Sequence, residues 1–207
     1  MKIDLESLDP GDRARIERTF VALEERGVQP LFVADRQAAL DLVLKLIPRG
    51  VSIAHGSSTT LREIGLVDYL SQPDCGYRYL NSEWLAEQDS QRRAHMRATL
   101  SVGSDYFLGS VQAICETGEA ISVDATGSRG AFYMYGPPHV MWVAGMNKLV
   151  PTLDDALRRA HDIALPLEDQ RMRHSGGSGS FIGKLVIYER ERPGRITLVL
   201  VGEPLGF

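Results

Sequence analysis

The stretch Val51-Ser-Ile-Ala-His-Gly-Ser-Ser-Thr-Thr-Leu-Arg-Glu-Ile-Gly65 passes from a short apolar run through a small polar loop into a helix-like segment. This order is typical of a parallel-sheet protein that aims a helix N-terminus at an anion. Free backbone N–H groups and the helix dipole favour phosphate or carboxylate at that point. The candidate ligand-binding residues of this loop are Gly56, Ser57, Ser58, Thr59 and Thr60.

The loop has two interpretations. Glycine allows close approach to the main chain and hydroxyl groups add donors, which favours a ligand site. A well-capped strand-to-helix turn without any ligand explains the same residues equally well. The loop lacks the lysine of a P-loop and the third glycine of a dinucleotide fingerprint, so neither motif applies.

Composition restricts the class of protein. The 207 residues are 43% hydrophobic and 24% charged, which suits one globular domain over residues 1–207. A formal net charge of -4 argues against nucleic-acid binding, and no apolar run approaches the roughly 20 residues of a membrane span. The charged first residues lack a signal-peptide core and the two cysteines lack metal-site spacing. We therefore expect a cytoplasmic protein with free thiols, although a disulfide stays open, and predict no metal or cofactor.

Helix and strand signals alternate along the chain. Asp9-Pro10 and Gly27 bracket a predicted N-terminal helix over about residues 10–26, and further caps and apolar runs follow through residue 165. Residues 174–180 are a Gly/Ser-rich segment that we expect to be flexible. Apolar runs on both sides of a Pro-Gly turn predict a terminal β-hairpin over about residues 184–201. The alternation predicts an α/β protein with a mostly parallel sheet.

Four polar or glycine-rich turns border the later predicted strands, at 116–118, 124–129, 136–138 and 145–148. Because turns beyond the carboxyl ends of parallel strands meet in one crevice, we expect them to face the loop at 56–60. Their charged groups suit an anionic small molecule. The candidate catalytic residues are Glu116, Asp124 and Lys148. The further candidate ligand-binding residues are Gly127, Ser128, Arg129 and Asn147.

Each candidate in these turns also has a plain structural interpretation. Asp124 suits the cap of a turn, Asn147 suits a left-handed turn position, and the two cations suit exposed surface. Glu116 is a useful acid, base or nucleophile only if the crevice is partly dry. His55 lies beside the loop, and the sequence leaves open whether it touches a ligand.

The segment His55-Gly-Ser-Ser-Thr-Thr-Leu-Arg-Glu-Ile-Gly-Leu66 resembles the signature of the LUD family, the lactate-utilisation proteins. Later segments agree in order and spacing. They are Gly109-Ser-Val-Gln-Ala-Ile114, Glu119-Ala-Ile-Ser-Val-Asp124, Gly127-Ser-Arg129, Gly136-Pro137, Val143-Ala-Gly-Met-Asn-Lys148 and Val201-Gly-Glu-Pro-Leu-Gly-Phe207. The resemblance covers the chain from about residue 35 onward.

This resemblance implies a Rossmann-like three-layer α/β/α fold, as in ribose-5-phosphate isomerase, glucosamine-6-phosphate deaminase and the CoA transferases. In those enzymes a Gly/Ser/Thr loop after a central strand receives phosphate or a CoA-linked group, and residues 56–60 match it by position. Some similar proteins assist oxidation of L-lactate to pyruvate within an iron–sulfur, multi-protein system. The resemblance therefore implies protein partners, and its superfamily makes a homo-oligomer plausible.

One departure from the family pattern concerns cysteine. Closely similar family members carry a cysteine cluster between the last helix and the final hairpin, where this chain has Arg171-Met-Arg-His-Ser-Gly-Gly-Ser-Gly-Ser180. Iron–sulfur clusters need thiolate ligands, so we predict no cluster here. Three functions stay open: a metabolite-binding subunit of lactate or organic-acid oxidation, a CoA-transferase-like or sugar-phosphate-isomerase-like enzyme, and a non-catalytic metabolite sensor.

Overall fold

The computed structural model of the protein describes residues 8–207. Residues 1–7, on which the signal-peptide argument rests, lie outside the described part of the chain. The strands are β1 (Val28–Val33), β2 (Ser52–His55), β3 (Arg78–Tyr79), β4 (Tyr106–Gly109), β5 (Ala113–Cys115), β6 (Ala120–Asp124), β7 (His139–Gly145), β8 (Leu149–Val150), β9 (Lys184–Tyr188) and β10 (Ile196–Val201). The helices are α1 (Pro10–Glu25), α2 (Arg36–Leu46), α3 (Thr59–Glu63), α4 (Leu66–Leu70), α5 (Leu80–Leu85), α6 (Ser90–Val102), α7 (Gly130–Met134), α8 (Leu153–Arg159) and α9 (Leu165–His174).

Helix boundaries follow local capping chemistry. The side chain of Asp9 accepts a hydrogen bond from the Gly11 N–H at the start of α1, and Pro10 occupies the first helical turn. Thr152 accepts from the Asp155 N–H in the same way at the start of α8. A π-helical turn over Ala160–Ala164 joins α8 to α9. Within residues 8–207, no helix has the length and apolar character needed to cross a membrane.

The first sheet contains six parallel strands in the order β1-β10-β7-β4-β2-β3. Side chains alternate between two buried clusters along β7: Val140 and Trp142 enter one cluster, and Met141 and Val143 enter the other. Burial on both faces is what a parallel sheet requires. The structure thus confirms the predicted α/β fold with a mostly parallel sheet.

Helices cover both faces of this sheet and complete three layers. Side chains of α1, α5 and α7 pack into the cluster that contains Trp142. Side chains of α2, α3 and α4 pack into the cluster that contains Val143. The Rossmann-like three-layer arrangement implied by the family resemblance is therefore present.

The second sheet is smaller and mixed, with the order β8-β5-β6-β9. Strands β5 and β6 form a hairpin, closed by the Cys115 N–H, which donates to the Glu119 carbonyl at 2.7 Å. A small apolar cluster of Ala113, Ile121 and Ala156 seats this sheet on α8. Cys75 and Cys115 are both buried and free.

The predicted terminal hairpin over residues 184–201 is wrong. Strand β9 pairs antiparallel with β6 in the second sheet, whereas β10 lies in the first sheet between β1 and β7. The reason is burial. Ile196 and Leu198 to Val201 are buried on both faces of the first sheet, while Lys184 and Ile187 of β9 are exposed. A Pro-Gly turn alone does not decide which strands pair.

Candidate functional site

A cavity of about 280 Å³ lies beyond the carboxyl ends of β2, β4 and β7, three neighbouring strands of the first sheet. The chain leaves β2 toward the edge strand β3 and then returns to place β4 on the other side of β2. This reversal is a topological switch point, where open parallel sheets bind ligands. The position agrees with the crevice expected from the sequence.

Three polar side chains, Thr60, Ser110 and Lys148, form the floor of the cavity. The Lys148 ammonium nitrogen Nζ donates to Thr60 Oγ1 at 3.0 Å and to Ser110 Oγ at 2.8 Å. All three residues are at most 4% exposed. No carboxylate forms an ion pair with Lys148 within residues 8–207, so hydroxyl groups are its direct polar partners there.

This environment changes the acidity of Lys148. Burial and, to a smaller extent, the positive charges of Arg159 and Arg129 together lower its pKa to about 7, while Glu63 acts in the opposite direction. A substantial fraction of the amine is therefore neutral at physiological pH. A neutral amine can accept a proton or attack an electrophile, which an ammonium cannot.

Tight packing fixes the floor. Gly109 ends β4, and a Cβ atom there would lie 1.8 Å from the hydroxyl of the buried Tyr133. That hydroxyl donates to the carbonyl of Ser110 at 3.1 Å. Asn147 holds the last residues beside Lys148, because its amide donates to the Gly206 carbonyl at 3.1 Å and its oxygen accepts from the Leu205 N–H at 3.0 Å.

An arginine and a carboxylate form one side of the cavity. Asp124 accepts a hydrogen bond from the Gly130 N–H at 2.9 Å, and its Oδ2 lies 3.5 Å from Arg129 Nε. Arg129 also donates to the Val123 carbonyl. A Cβ atom at Gly56 would lie 2.9 Å from Arg129 Cγ, so the glycine makes room for the arginine stem.

The outer wall of the cavity consists of α9 and the segment that follows it up to residue 182. Arg171 and Glu168 form a two-bonded ion pair at 2.6 and 2.7 Å along α9. Met172, Gly179, Ser180 and Phe181 complete this wall. Arg97 of α6 reaches the cavity beside it and donates to Ser128 Oγ at 3.1 Å.

The cavity carries an excess of positive charge. Its lining contains the cations Arg97, Arg129, Lys148 and Arg171, and the carboxylates Asp124 and Glu168. Both carboxylates are paired, with Arg129 and Arg171 respectively. Arg97 and Lys148 form no ion pair with a carboxylate within residues 8–207, which leaves up to two unbalanced positive charges facing the interior.

Most of the residues predicted for the site line this cavity: Ser57, Ser58, Thr59, Thr60, Asp124, Ser128, Arg129 and Lys148. Helix α3 has only five residues, so the dipole behind the loop is that of a short helix. Ser58 caps it, with its hydroxyl accepting from the Leu61 N–H at 3.3 Å. The hydroxyl groups of the loop remain, and they are its main contribution to the site.

Four predicted residues lie elsewhere. Glu116 lies outside the cavity lining and pairs with Arg15 and Arg18 of α1, because its turn belongs to the second sheet. Gly127 lines a separate hollow beside β9. Gly56 is covered by Arg129, and Asn147 lies in a 3-10 turn, where it holds residues 205 and 206 rather than taking a left-handed conformation.

His55 is buried and turned away from the cavity lining. Its Nδ1 contacts the Gly56 carbonyl at 2.8 Å, and its Nε2 contacts the Tyr79 hydroxyl at 2.7 Å. Burial lowers the pKa of His55. The structure thus assigns His55 to the core beside the loop.

Sequence reasoning missed Ser110, Arg97 and Arg171. A signal existed for Ser110, since it directly follows the glycine that ends an apolar strand. Arg97 and Arg171 lie on polar helices among several similar arginines, and only the tertiary fold distinguishes them.

Comparison with known proteins agrees with this architecture. A family model described as LUD domain matches residues 16–204. The chain belongs to the LUD domain family. A crystal structure of a DUF162 family protein from Deinococcus radiodurans is similar, with a TM-score of 0.52 and 11% identity over 94% of this chain and 99% of that one. At this identity the likeness concerns the fold alone. None of the curated proteins matches the sequence.

The LUD chain therefore combines a confirmed family fold with a cavity at the sheet's switch point. The segment Arg171–Ser180, which contains no cysteine, contributes Arg171, Met172, Gly179 and Ser180 to the outer wall. Within residues 8–207 no group of three or more His, Cys, Asp or Glu side chains is arranged to hold a metal ion.

Proposed function

We propose that this LUD protein binds a small anionic metabolite in the cavity above Lys148. The observation that carries the proposal is the charge distribution. Up to two positive charges face the cavity, and each carboxylate side chain of its lining is already paired. A phosphate or carboxylate ligand would satisfy Arg97 and Lys148, together with the free hydrogen-bonding capacity of the loop hydroxyls. A volume of about 280 Å³ suits a small metabolite.

Family membership supports a place for this binding step in lactate or other organic-acid oxidation, as a subunit or accessory with protein partners. Buried free thiols at Cys75 and Cys115 support a cytoplasmic setting. The proposal includes no nucleic acid, since the formal net charge is -4.

Catalysis in the same cavity is the second candidate function, and a specific observation favours it. A buried lysine with a pKa near 7 has the acid–base properties that enzymes create for proton transfer and nucleophilic attack. Asp124 is engaged by Arg129 and Gly130, and Glu116 lies outside the cavity lining. Lys148 is accordingly the group on which a CoA-transferase-like or isomerase-like mechanism would have to be built.

A thermal-shift screen of the purified protein tests the binding proposal. Lactate, pyruvate, CoA esters and sugar phosphates are the probes. A ligand at one hundred times its dissociation constant should stabilise the fold by about 2.7 kcal/mol, which raises the melting temperature by several degrees. We expect the shift to fall to about half or less in Arg97→Gln and to persist in Arg92→Gln, because Arg92 lies on the same helix outside the cavity lining.

A second variant separates charge from packing. Arg129→Met retains the stem that covers Gly56 and removes the guanidinium. Should a ligand stabilise the Arg97 and Arg129 variants as strongly as the unmodified protein, the cavity is not its binding site. Turnover by the protein alone would favour the catalytic candidate, whereas binding without turnover favours the subunit or sensor.

A further inference from the structure

Lys148 differs from the other two lysines within residues 8–207. Both Lys45 and Lys184 are exposed on the surface. Lys148 is 2% exposed and contacts two hydroxyl groups, whereas buried lysines are normally neutralised by a carboxylate. Two bonds to hydroxyls leave one position on the nitrogen available toward the cavity that it lines.

The surroundings of Lys148 keep its amine available as a base or nucleophile. The charged groups that face it are Arg129 from the side of the cavity, Arg159 from α8 and Glu63 from α3. The two arginines oppose protonation, and burial adds to their effect. Arg159 is held in place because it donates to the carbonyls of Asn147 and Gln112.

The same cavity supplies groups for an anionic substituent and for proton movement. Arg97 and Arg129 line it and could hold a carboxylate by charge-assisted hydrogen bonds. Thr60 Oγ1 and Ser110 Oγ lie within 3.0 Å of Nζ, and each hydroxyl can donate or accept a proton. The cavity therefore places cations for an acid group beside an amine that can react with a carbonyl.

We propose that Lys148 forms a Schiff base with a small anionic carbonyl compound of the 2-oxo acid class. This inference rests on the proposed binding function of the cavity. The lone pair of the neutral amine attacks the carbonyl carbon, the C=O π electrons move to oxygen, and a proton passes from nitrogen to that oxygen. The resulting carbinolamine loses its hydroxyl as water after protonation, with Thr60 and Ser110 as proton carriers. The net change is amine plus carbonyl giving imine plus water, so no oxidant or reductant is required.

Reductive trapping tests this assignment on the full-length protein. Glyoxylate or pyruvate is added with sodium cyanoborohydride, and intact-mass spectrometry followed by peptide mapping locates the product. We expect one reduced adduct per chain, mapped to Lys148, at least tenfold more abundant than any adduct at Lys45 or Lys184. Because mapping uses the unmodified protein, the result does not depend on whether a Lys148 variant folds.

A pH series adds a signature that non-specific alkylation lacks. Trapping at Lys148 should rise about tenfold between pH 6 and pH 8 and then level off, following a pKa near 7. Nα-Acetyllysine in the same solution should keep rising about tenfold per pH unit, as expected for a typical lysine pKa of about 10.4.

Variants complete the test. Lys148→Arg should remove the mapped adduct, and Lys45→Arg should leave it unchanged. If pyruvate produces a thermal shift that depends on Arg129 but no adduct forms on Lys148, the Schiff base is overturned while the binding function stands. If neither probe forms an adduct on Lys148, the Schiff base is overturned, and the binding function is then decided separately by the other probes of the thermal-shift screen.

Discussion

The floor and the outer wall of the cavity differ in how deeply their side chains are buried and in how their charges are balanced. Thr60, Ser110 and Lys148 lie in the segments that follow β2, β4 and β7 of one sheet, and each is almost fully buried. Glu168 and Arg171 of the wall lie on one helix, keep 33% and 26% of their side chains exposed, and neutralise each other. Water can compensate a lost contact at the wall but not at the floor. We therefore assign the proposed reactivity to the floor and the proposed access to the cavity to the wall.

The largest expected difference between floor and wall is in the stability lost when Gly109 or Gly176 is replaced by alanine. Gly109→Ala places a methyl group 1.8 Å from the hydroxyl of Tyr133, whose ring is held between Phe107 and Trp142. We expect the free energy of unfolding to fall by about 3 kcal/mol, since neither side can move without disturbing the core. Gly176→Ala in the wall meets nothing within 4 Å and strains only a φ of +80°, so about 1 kcal/mol is expected.

Urea unfolding of both variants measures these changes. Equal losses at the two glycines would contradict the contrast between a packed floor and an open wall. The Gly109 variant should also lose ligand-induced stabilisation, because Tyr133 positions Ser110 through its carbonyl. The Gly176 variant should retain it.

Lys148 supplies the second test, through the pH dependence of stability. Its folded pKa of about 7 lies below the roughly 10.4 of an unfolded lysine, so the unfolded chain binds more protons between these values. Stability should therefore rise with pH across this window, by at most about 1.4 kcal/mol per pH unit relative to Lys148→Met. Below about pH 7 both states are protonated and the difference becomes constant. Urea unfolding at about pH 8 and about pH 9.5 gives the slope.

The unmodified protein and the variant share every other titrating group, so their difference isolates this lysine. Parallel curves for the two proteins would show that Lys148 remains protonated in the fold. That result would also remove the basis for its nucleophilic role. Lys45→Arg serves as the control, since it exchanges an exposed cation on α2 for another.

The sequence predicted the local features of this protein well. The cap at Asp9 and the strand before the 56–60 loop depend on neighbouring residues, and the structure confirms them. The parallel sheet followed from the alternation of helices and strands. Such patterns are encoded over a few residues and need no knowledge of strand order.

The wrong or missing predictions all concern which strands lie next to one another in the sheets. Glu116 lies outside the predicted crevice because β5 and β6 belong to the second sheet. The apolar pattern of those short strands does not indicate which sheet they belong to. Ser110 entered the site because β4 lies between β2 and β7. The terminal hairpin was wrong for the same reason, since β10 is inserted between β1 and β7. Pairing between distant segments is decided by burial over the whole chain.

A substitution in the outer wall is expected to have the smallest effect on stability and ligand affinity. Arg171→Gln removes an ion pair between side chains three residues apart on α9, where partial exposure screens the charges. We expect a stability change of about 0.5 kcal/mol or less and a ligand affinity weakened about threefold, measured by calorimetric titration of whichever ligand the thermal-shift screen identifies. Arg97→Gln should weaken the same affinity more than tenfold, because Arg97 has no carboxylate partner within residues 8–207 to share its charge. An Arg171 effect as large as that of Arg97 would mean that the wall binds the ligand directly, and the division between a reactive floor and an access wall would then have to be abandoned.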